Sequence, residues 1–357
     1  MGYQIDLDEL SKILDGLVAF DEKAYQEDFR QLSLLFNGLK SNFENFRVTE
    51  FKLEDNLSRN YNISELLRGF YRYYRNFYKI SQKFSTFDIA DYVKLSLSDK
   101  DCLDLVRSFF AEQGDFFAKP LELFYKQINS HISFIKQNEN TSGQMVYLSS
   151  IKQAFVVVPN SESIEKVLTT VHEFEHVIDA YNNPLFHQAE IVRESTAVFF
   201  EMIAADRING MLNTGIENLK RRYLIDNIIS NDVDYVYYNF QLLHHYGLFK
   251  GKKEDLYAYL NTKGFNEYAI EQLSFLSLSL QSYYLISYMI AVEIYVLYGK
   301  DKELALFIIK QIVMEANTDN IIEVLDKYGI HLNENMYNYK NDLENELIKK
   351  NVIEGSY

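Results

Sequence analysis

Apolar residues recur at helical spacing along most of the chain, and short β-branched runs interrupt this pattern in only a few places. Extended segments are predicted at Met145 to Leu148 and at Ala154 to Val158. The stretch that follows has the three- and four-residue spacing of one helix face, through Ile164, Val167, Leu168 and Val171. Asn160 and Ser161 are the cap candidates of this predicted helix, and Asn182-Asn183-Pro184 ends it.

A second helical run begins after Pro184 and ends near Asn209-Gly210. The rest of the pattern is also mostly helical. The 357 residues include only three prolines and 14 glycines, and no linker rich in Pro, Gly or Ser divides them. The sequence therefore predicts a mainly α-helical protein with a small β-sheet.

The formal net charge of −15 argues against a general nucleic-acid-binding surface, because phosphate contacts need a basic surface. One local exception is a basic stripe at helical spacing beside aromatic residues, formed by Arg68, Arg72, Arg75 and Lys79. Such a stripe suits an acidic peptide or a single-stranded nucleic acid. We interpret it as a solvated face that pairs with the acidic remainder of the chain, and we expect no nucleic-acid partner.

Cysteine usage and hydropathy indicate a cytoplasmic protein. The single cysteine, Cys102, excludes an intramolecular disulfide and a cysteine-based metal cluster, so a reducing compartment is the simplest inference. The N-terminus lacks the basic region and apolar core of a signal peptide.

Leu273 to Val292 carries no charge, but six Ser and Gln residues dilute its apolar character. We expect it to be a buried helix facing a polar cleft, and we expect no membrane span.

The chemistry of the chain is concentrated in Val171-His172-Glu173-Phe174-Glu175-His176. Two histidines four residues apart lie on one helix face, where both imidazoles can reach one Zn²⁺. Glu173 would act as the general base toward the water that the ion activates. Such a pentapeptide arises by chance in roughly one chain in a hundred of this composition, so its place on an amphipathic helix is what gives it weight.

A third ligand is expected from the second predicted helix. Glu194 lies 18 residues after His176, and the intervening turn is long enough for the second helix to fold back on the first. Glu190, Glu194 and Glu201 share one face, and stacked carboxylates repel unless a cation or hydrogen-bond donors gather them. Glu194 is the predicted ligand of one Zn²⁺ per chain, and Glu190 competes with it. A solvated acidic face is the alternative.

These segments resemble the thimet oligopeptidase and oligoendopeptidase F family of zinc peptidases, over roughly residues 90 to 350. Ala154 to Asn160 is similar to the family's strand before the zinc helix, and the histidine motif follows it. Glu194-Ser195-Thr196-Ala197-Val198-Phe199-Phe200-Glu201 is similar to the family's second motif. Ser282 to Tyr288 resembles a tyrosine-rich segment that faces the metal in the family.

The resemblance implies a zincin-like metallopeptidase, mainly α, with a small β-sheet beside the active-site helix and a helical cleft. It implies an N-terminal helical region at 1–90, shorter than in the family, and a catalytic domain at 91–357. The substrate would be a peptide or protein. The chain has no Gly-x-Met-Glu-Asn segment, which favours an oligo- or endopeptidase over N-terminal trimming. An extended segment is expected to pair with the substrate backbone beside the cleft: Phe155, Val156, Val157 and Val158.

The chain also departs from the family. Glycine is usual where this chain has Glu175, and histidine is common where it has Asp179. Asp179 is either an acceptor that orients a ligand or an ordinary surface residue, and Glu201 is expected to orient a ligand as well. The family histidine before the tyrosine segment is missing, since none lies between His245 and His331. The oxyanion donor is therefore expected to be Tyr284 or Tyr288, with Tyr283 third.

Two other functions stay open at this point. The missing histidine and Glu175 are compatible with a catalytically impaired, family-like protein that binds peptides without cutting them. A helical interaction protein, in which the histidine motif is coincidental, is the other. Stoichiometric zinc would eliminate the second, and peptide cleavage would eliminate the first.

Overall fold

Helices make up most of the computed structural model, which describes residues 5, 28, 31–32, 35, 95–136, 143–183, 190–212, 222, 251, 255–265, 278–316 and 321–330. In these residues the helices are α1 (Asp99–Ala111), α2 (Asp115–Tyr125), α3 (Ile128–His131), α4 (Ile164–Asn182), α5 (Glu190–Leu212), α6 (Leu256–Thr262), α7 (Leu278–Tyr298), α8 (Lys302–Glu315) and α9 (Ile321–Lys327). The mainly helical prediction is confirmed. The basic stripe from Arg68 to Lys79 and the expected boundary at residue 90 lie outside the described residues.

Three strands form one sheet in the described part of the chain: β1 (Ile132–Lys136), β2 (Gln144–Leu148) and β3 (Gln153–Asn160). The order is β1-β3-β2, with β1 parallel and β2 antiparallel to β3. The two predicted extended segments lie in β2 and β3, whereas β1 was not predicted. The central strand β3 is buried on both faces, which explains its uninterrupted apolar run from Ala154 to Val158.

The helix α4 follows β3 directly and is the central helix of the structure. Its N-cap is Ser163, whose side chain accepts a hydrogen bond from the backbone N–H of Glu165 at 3.2 Å. The predicted caps Asn160 and Ser161 are wrong, because β3 continues to Asn160. Most residues of α4 are buried, since it packs against the sheet and against α1, α2 and α5.

The sheet has apolar partners on both faces. One face belongs to the main core, which α4 shares with α1, α2, α5, α7 and α8. The other face is covered from the N-terminal part of the chain by Ile5, Leu32 and Leu35, which pack on Val146, Leu148, Phe155 and Val157. Asp28 connects this N-terminal part to the sheet, because its carboxylate accepts hydrogen bonds from the backbone N–H groups of Ser149 and Ser150 at 2.8 and 2.9 Å.

The helix α5 packs between α4 and α7. Asp206 on α5 accepts a hydrogen bond from the Tyr295 hydroxyl of α7 and forms an ion pair with Arg222, whose Nε lies 3.1 Å from Oδ1. The helix α7 contains the described part of the uncharged run that ends at Val292. The side chains of this run that the structure describes are buried: Ser287, Tyr288, Ile290, Ala291 and Val292. No helix in the described part of the chain combines the length and apolar character that crossing a membrane requires.

Candidate metal centre

Three side chains from α4 and α5 bring donor atoms to a common point. The Nε2 atoms of His172 and His176 are 3.1 Å apart. Oε2 of Glu194 lies 3.3 Å from Nε2 of His172, and Oε1 of the same carboxylate lies 3.5 Å from Nε2 of His176. His176 and Glu194 are buried, whereas the His172 side chain is 20% exposed. His172 is therefore the most exposed of the three side chains.

The spacing and chemistry of these donors fit Zn²⁺. Ligands at about 2.0–2.1 Å from a tetrahedral ion are about 3.3 Å from one another. The three observed separations bracket that value, although the two to Glu194 involve different oxygens of its carboxylate. Two imidazole nitrogens and one carboxylate are also a donor set that catalytic zinc uses. No other group of three His, Cys, Asp or Glu side chains converges in this way among the residues that the structure describes.

The helix geometry explains how these groups meet. His172 and His176 lie one turn apart on α4, so their rings stand on the same face, with centroids 4.7 Å apart. Glu194 and Glu201 lie two turns apart on α5, which packs against that face. Glu201 contacts Nδ1 of His172 through Oε1, on the side of the ring opposite Nε2. This contact is the one expected of a residue that orients a ligand.

A carboxylate that the sequence analysis did not assign lies behind His176. Oε2 of Glu175 is 3.5 Å from Nδ1 of His176, and Glu175 is completely buried. Asp179, which was predicted for this role, lies one turn further along α4 and is 1% exposed. The surface alternative for Asp179 is therefore wrong. The only signal for Glu175 in the sequence is that it stands where the family usually has glycine.

Burial and the carboxylates act in opposite directions on the pKa values of the two histidines. Burial lowers the pKa of His172, but the charges of Glu201 and Glu194 outweigh it and hold that pKa well above its ordinary range. Burial is likewise outweighed at His176, whose pKa the neighbouring Glu175 and Glu194 raise to about 9. Burial raises the pKa of Glu194, but the two imidazoles outweigh it and bring that pKa well below its ordinary range. Glu194 and the two imidazoles therefore favour one another's charged forms.

Glu173 lies beside the cluster with its carboxylate buried. Burial raises its pKa, and the two histidines of the cluster oppose that shift. A carboxyl with a raised pKa suits a general base that works near neutral pH. Gly143 approaches this carboxylate closely, since a Cβ at position 143 would lie 2.6 Å from Oε1 of Glu173 and 2.4 Å from Cγ2 of Thr169. The backbone before β2 thus confines Glu173 against α4.

The predicted oxyanion donors are only partly described. Tyr288 lies on α7, is 1% exposed and belongs to the main core. Its role stays a prediction. His244 and His245 lie outside the described residues. Glu190, Tyr283 and Tyr284 lie on described helices, but their side chains are outside the described part of the structure.

The segment that was predicted to pair with substrate lies in the centre of the sheet. Val156 is paired with Ile132 of β1 on one side and with Met145 of β2 on the other. A strand with both edges paired has no free backbone groups for strand addition. The prediction for Phe155, Val156, Val157 and Val158 is therefore wrong.

Comparison with solved structures identifies the class of fold. The chain is similar to a protein described as an oligoendopeptidase F from Bacillus anthracis str. Ames, with a TM-score of 0.52, and to PZ peptidase A solved with an inhibitor, with a TM-score of 0.54. Sequence identity is 11% in both cases, and 72% of this chain is covered. The fold is that of these helical peptidases.

The chain spans about half the length of these two structures, 47% and 50% respectively. No protein-family model and no curated protein matches the sequence.

Proposed function

We propose that the protein is a zinc-dependent peptidase, an oligo- or endopeptidase that hydrolyses bonds within a peptide or protein substrate. The observation that carries this proposal is the convergence of three donor side chains in a chain with a peptidase-like fold: His172, His176 and Glu194. These residues would hold one Zn²⁺ per chain. When bound, the ion supplies a Lewis acid that polarises the scissile carbonyl and lowers the pKa of water to about 7.

The proposed general base is Glu173. Its carboxylate takes a proton from the attacking water and delivers it to the nitrogen of the leaving amine, so that the peptide bond breaks without an unstable amide anion. The raised pKa of Glu173 favours both transfers, because the carboxyl must accept and then release the proton. A tyrosine hydroxyl, from Tyr284 or Tyr288, is the proposed donor to the oxyanion.

Glu201 is proposed to orient His172. Its carboxylate accepts a hydrogen bond from the Nδ1–H group, which leaves the lone pair of Nε2 directed at the cluster and prevents rotation of the ring. This arrangement holds the ligand in the tautomer that a metal ion needs.

The substrate backbone is proposed to lie along β2. In the described sheet β2 pairs with β3 on one side only, and the residue that precedes it, Gly143, contacts Glu173. An extended peptide added to this edge would run past the general base. The acidic net charge makes nucleic acid an unsuitable partner, and the buried free Cys102 suits a reducing compartment such as the cytoplasm.

Cleavage of a peptide library by the purified protein tests the function. Activity should require zinc, should disappear with a chelator and return on addition of zinc, and should be absent in Glu173→Gln. Zinc binding without any cleavage would leave a peptide-binding protein as the function. Absence of stoichiometric zinc would overturn the proposal.

A further inference from the structure

Glu175 is a buried carboxylate without a hydrogen-bond donor among the described residues. Its exposure is 0%, and neither Oε1 nor Oε2 has a hydrogen-bond partner. Its one ionic neighbour in this part of the structure is Nδ1 of His176, at 3.5 Å, which is too long for a good hydrogen bond. Nδ1 of His176 is itself buried without a hydrogen-bond partner. Two complementary groups therefore face each other and are both left unsatisfied.

A cation at His176 would strengthen the contact between this ring and Glu175. A buried carboxylate normally requires donors or a cation, because it has lost its hydration. Nε2 of His176 is directed at Glu194 and His172. If Nε2 is the ligand atom, the ring proton must reside on Nδ1, which faces Glu175. Binding of a cation at Nε2 also makes that N–H a stronger donor, so the ion supplies the partner that Glu175 lacks.

The two histidines are then supported in the same way from different helices. Nδ1 of His172 contacts Glu201 of α5, and Nδ1 of His176 faces Glu175 of its own helix α4. Glu201 lies within hydrogen-bond distance of its imidazole, whereas Glu175 lies 3.5 Å from Nδ1 of His176.

We infer that Glu175 is a positioning residue for His176, which fixes its ring and raises the zinc affinity of the site. The inference rests on the proposed metal site. Its consequence is that Glu175 stabilises the zinc-bound protein more than the metal-free protein.

Zinc affinity measured by competition with a chromophoric chelator tests this role. The zinc dissociation constant of Glu175→Gln should be about 10- to 100-fold higher than that of the parent protein. The rise in melting temperature on adding zinc should be smaller in the variant.

Asp179→Asn is the matched comparison, since it removes a buried carboxylate one turn away on the same helix. It should weaken zinc binding less than Glu175→Gln. An equal effect of the two substitutions would show that only the local negative charge matters, and would overturn the positioning role. A larger effect at Asp179 would transfer the role to that residue.

The remaining outcomes are also decisive. If the parent binds no zinc, the proposed function fails. If the parent binds zinc and Glu175→Gln binds it equally well, only the role of Glu175 fails. Glu175→Ala repeats the measurement if the glutamine variant does not fold. Failure of both variants to fold would show that Glu175 acts chiefly in the metal-free protein, which contradicts the inference.

Discussion

Glu201 meets Nδ1 of His172 from the same helix that places Glu194 beside Nε2 of that ring. Because the two glutamates are seven residues apart on α5, one helix face supplies both contacts. The orientation of the imidazole therefore depends on how α4 and α5 pack, and less on local backbone at His172. Substitutions that shift α5 should alter both contacts together.

Metal content is the first prediction. Protein purified without chelator should contain one zinc ion per chain by elemental analysis, because His172, His176 and Glu194 supply an open three-ligand site. The double variant His172→Ala, His176→Ala should contain none. Full retention of zinc in that variant would show that the metal binds elsewhere.

The third ligand can be tested separately. Glu194→Gln should lose zinc, because this carboxylate lies at 3.3 to 3.5 Å from both Nε2 atoms. Glu190→Gln is the matched control and should retain it. The opposite pattern would move the ligand to Glu190.

Removal of the general base should separate binding from catalysis. Glu173→Gln should retain zinc and its melting temperature but lose roughly 10²-fold or more in kcat, since the amide cannot accept the proton of water. The measurement is steady-state cleavage of a peptide substrate together with zinc content. Cleavage at the parental rate would contradict the mechanism.

Gly143→Ala should displace the carboxylate of Glu173. The added Cβ would lie 2.6 Å from Oε1 of Glu173, so the side chain or the strand must shift. Overpacking of this kind costs typically about 1–3 kcal/mol, and kcat should fall by more than the unfolded fraction explains, with zinc retained. Gly210→Ala is the control, because its Cβ meets nothing within 4 Å. That helical substitution should stabilise the protein by about 0.5–1 kcal/mol and leave kcat unchanged.

The oxyanion donor should be a tyrosine hydroxyl. Phenylalanine at position 284 or 288 removes only the hydroxyl, and one of the two variants should lose about 10²–10³ in kcat with little change in KM or zinc content. Stopped-flow or steady-state cleavage of one peptide by both variants decides it. Full activity in both would exclude these tyrosines and direct attention to His244 and His245.

Cys102 should be inert in the folded protein. Its thiol is buried beside Thr170, with Sγ 3.5 Å from Oγ1, and burial raises its pKa to about 11. With this pKa the thiol is almost fully protonated at about pH 8, so almost no thiolate is present to react. Iodoacetamide should label the unfolded protein readily and the native protein very slowly. Rapid labelling of native protein would contradict the described environment.

The sequence predicted the parts of the fold that depend on local pattern. The helical spacing of apolar residues around His172 predicted α4. The second predicted helix then placed Glu194 near both histidines. The N-cap was misplaced because β3 continues to Asn160. The length of β3 depends on its pairing with β1, and this pairing cannot be predicted from a five-residue apolar run alone. The central position of Val156 likewise depends on partners distant in sequence.

Glu175 was missed for a different reason. Adjacent residues on a helix do not normally face each other, so helical spacing gives no reason to pair Glu175 with His176. Their approach follows from burial of both side chains between packed elements, which only the tertiary structure shows.

The hydrogen bonds between Asp28 and the turn that joins β2 to β3 have a consequence for the biosynthesis of the chain. Asp28 and Ser149 are 121 residues apart, and at ribosomal rates of about 5–20 residues per second roughly 6 to 24 s separate their synthesis. During that interval Ile5, Leu32 and Leu35 exist without the strand residues that later cover them. The nascent N-terminal part therefore lacks its apolar partners until the sheet has been synthesised. We expect holding chaperones to bind it at this stage of biosynthesis.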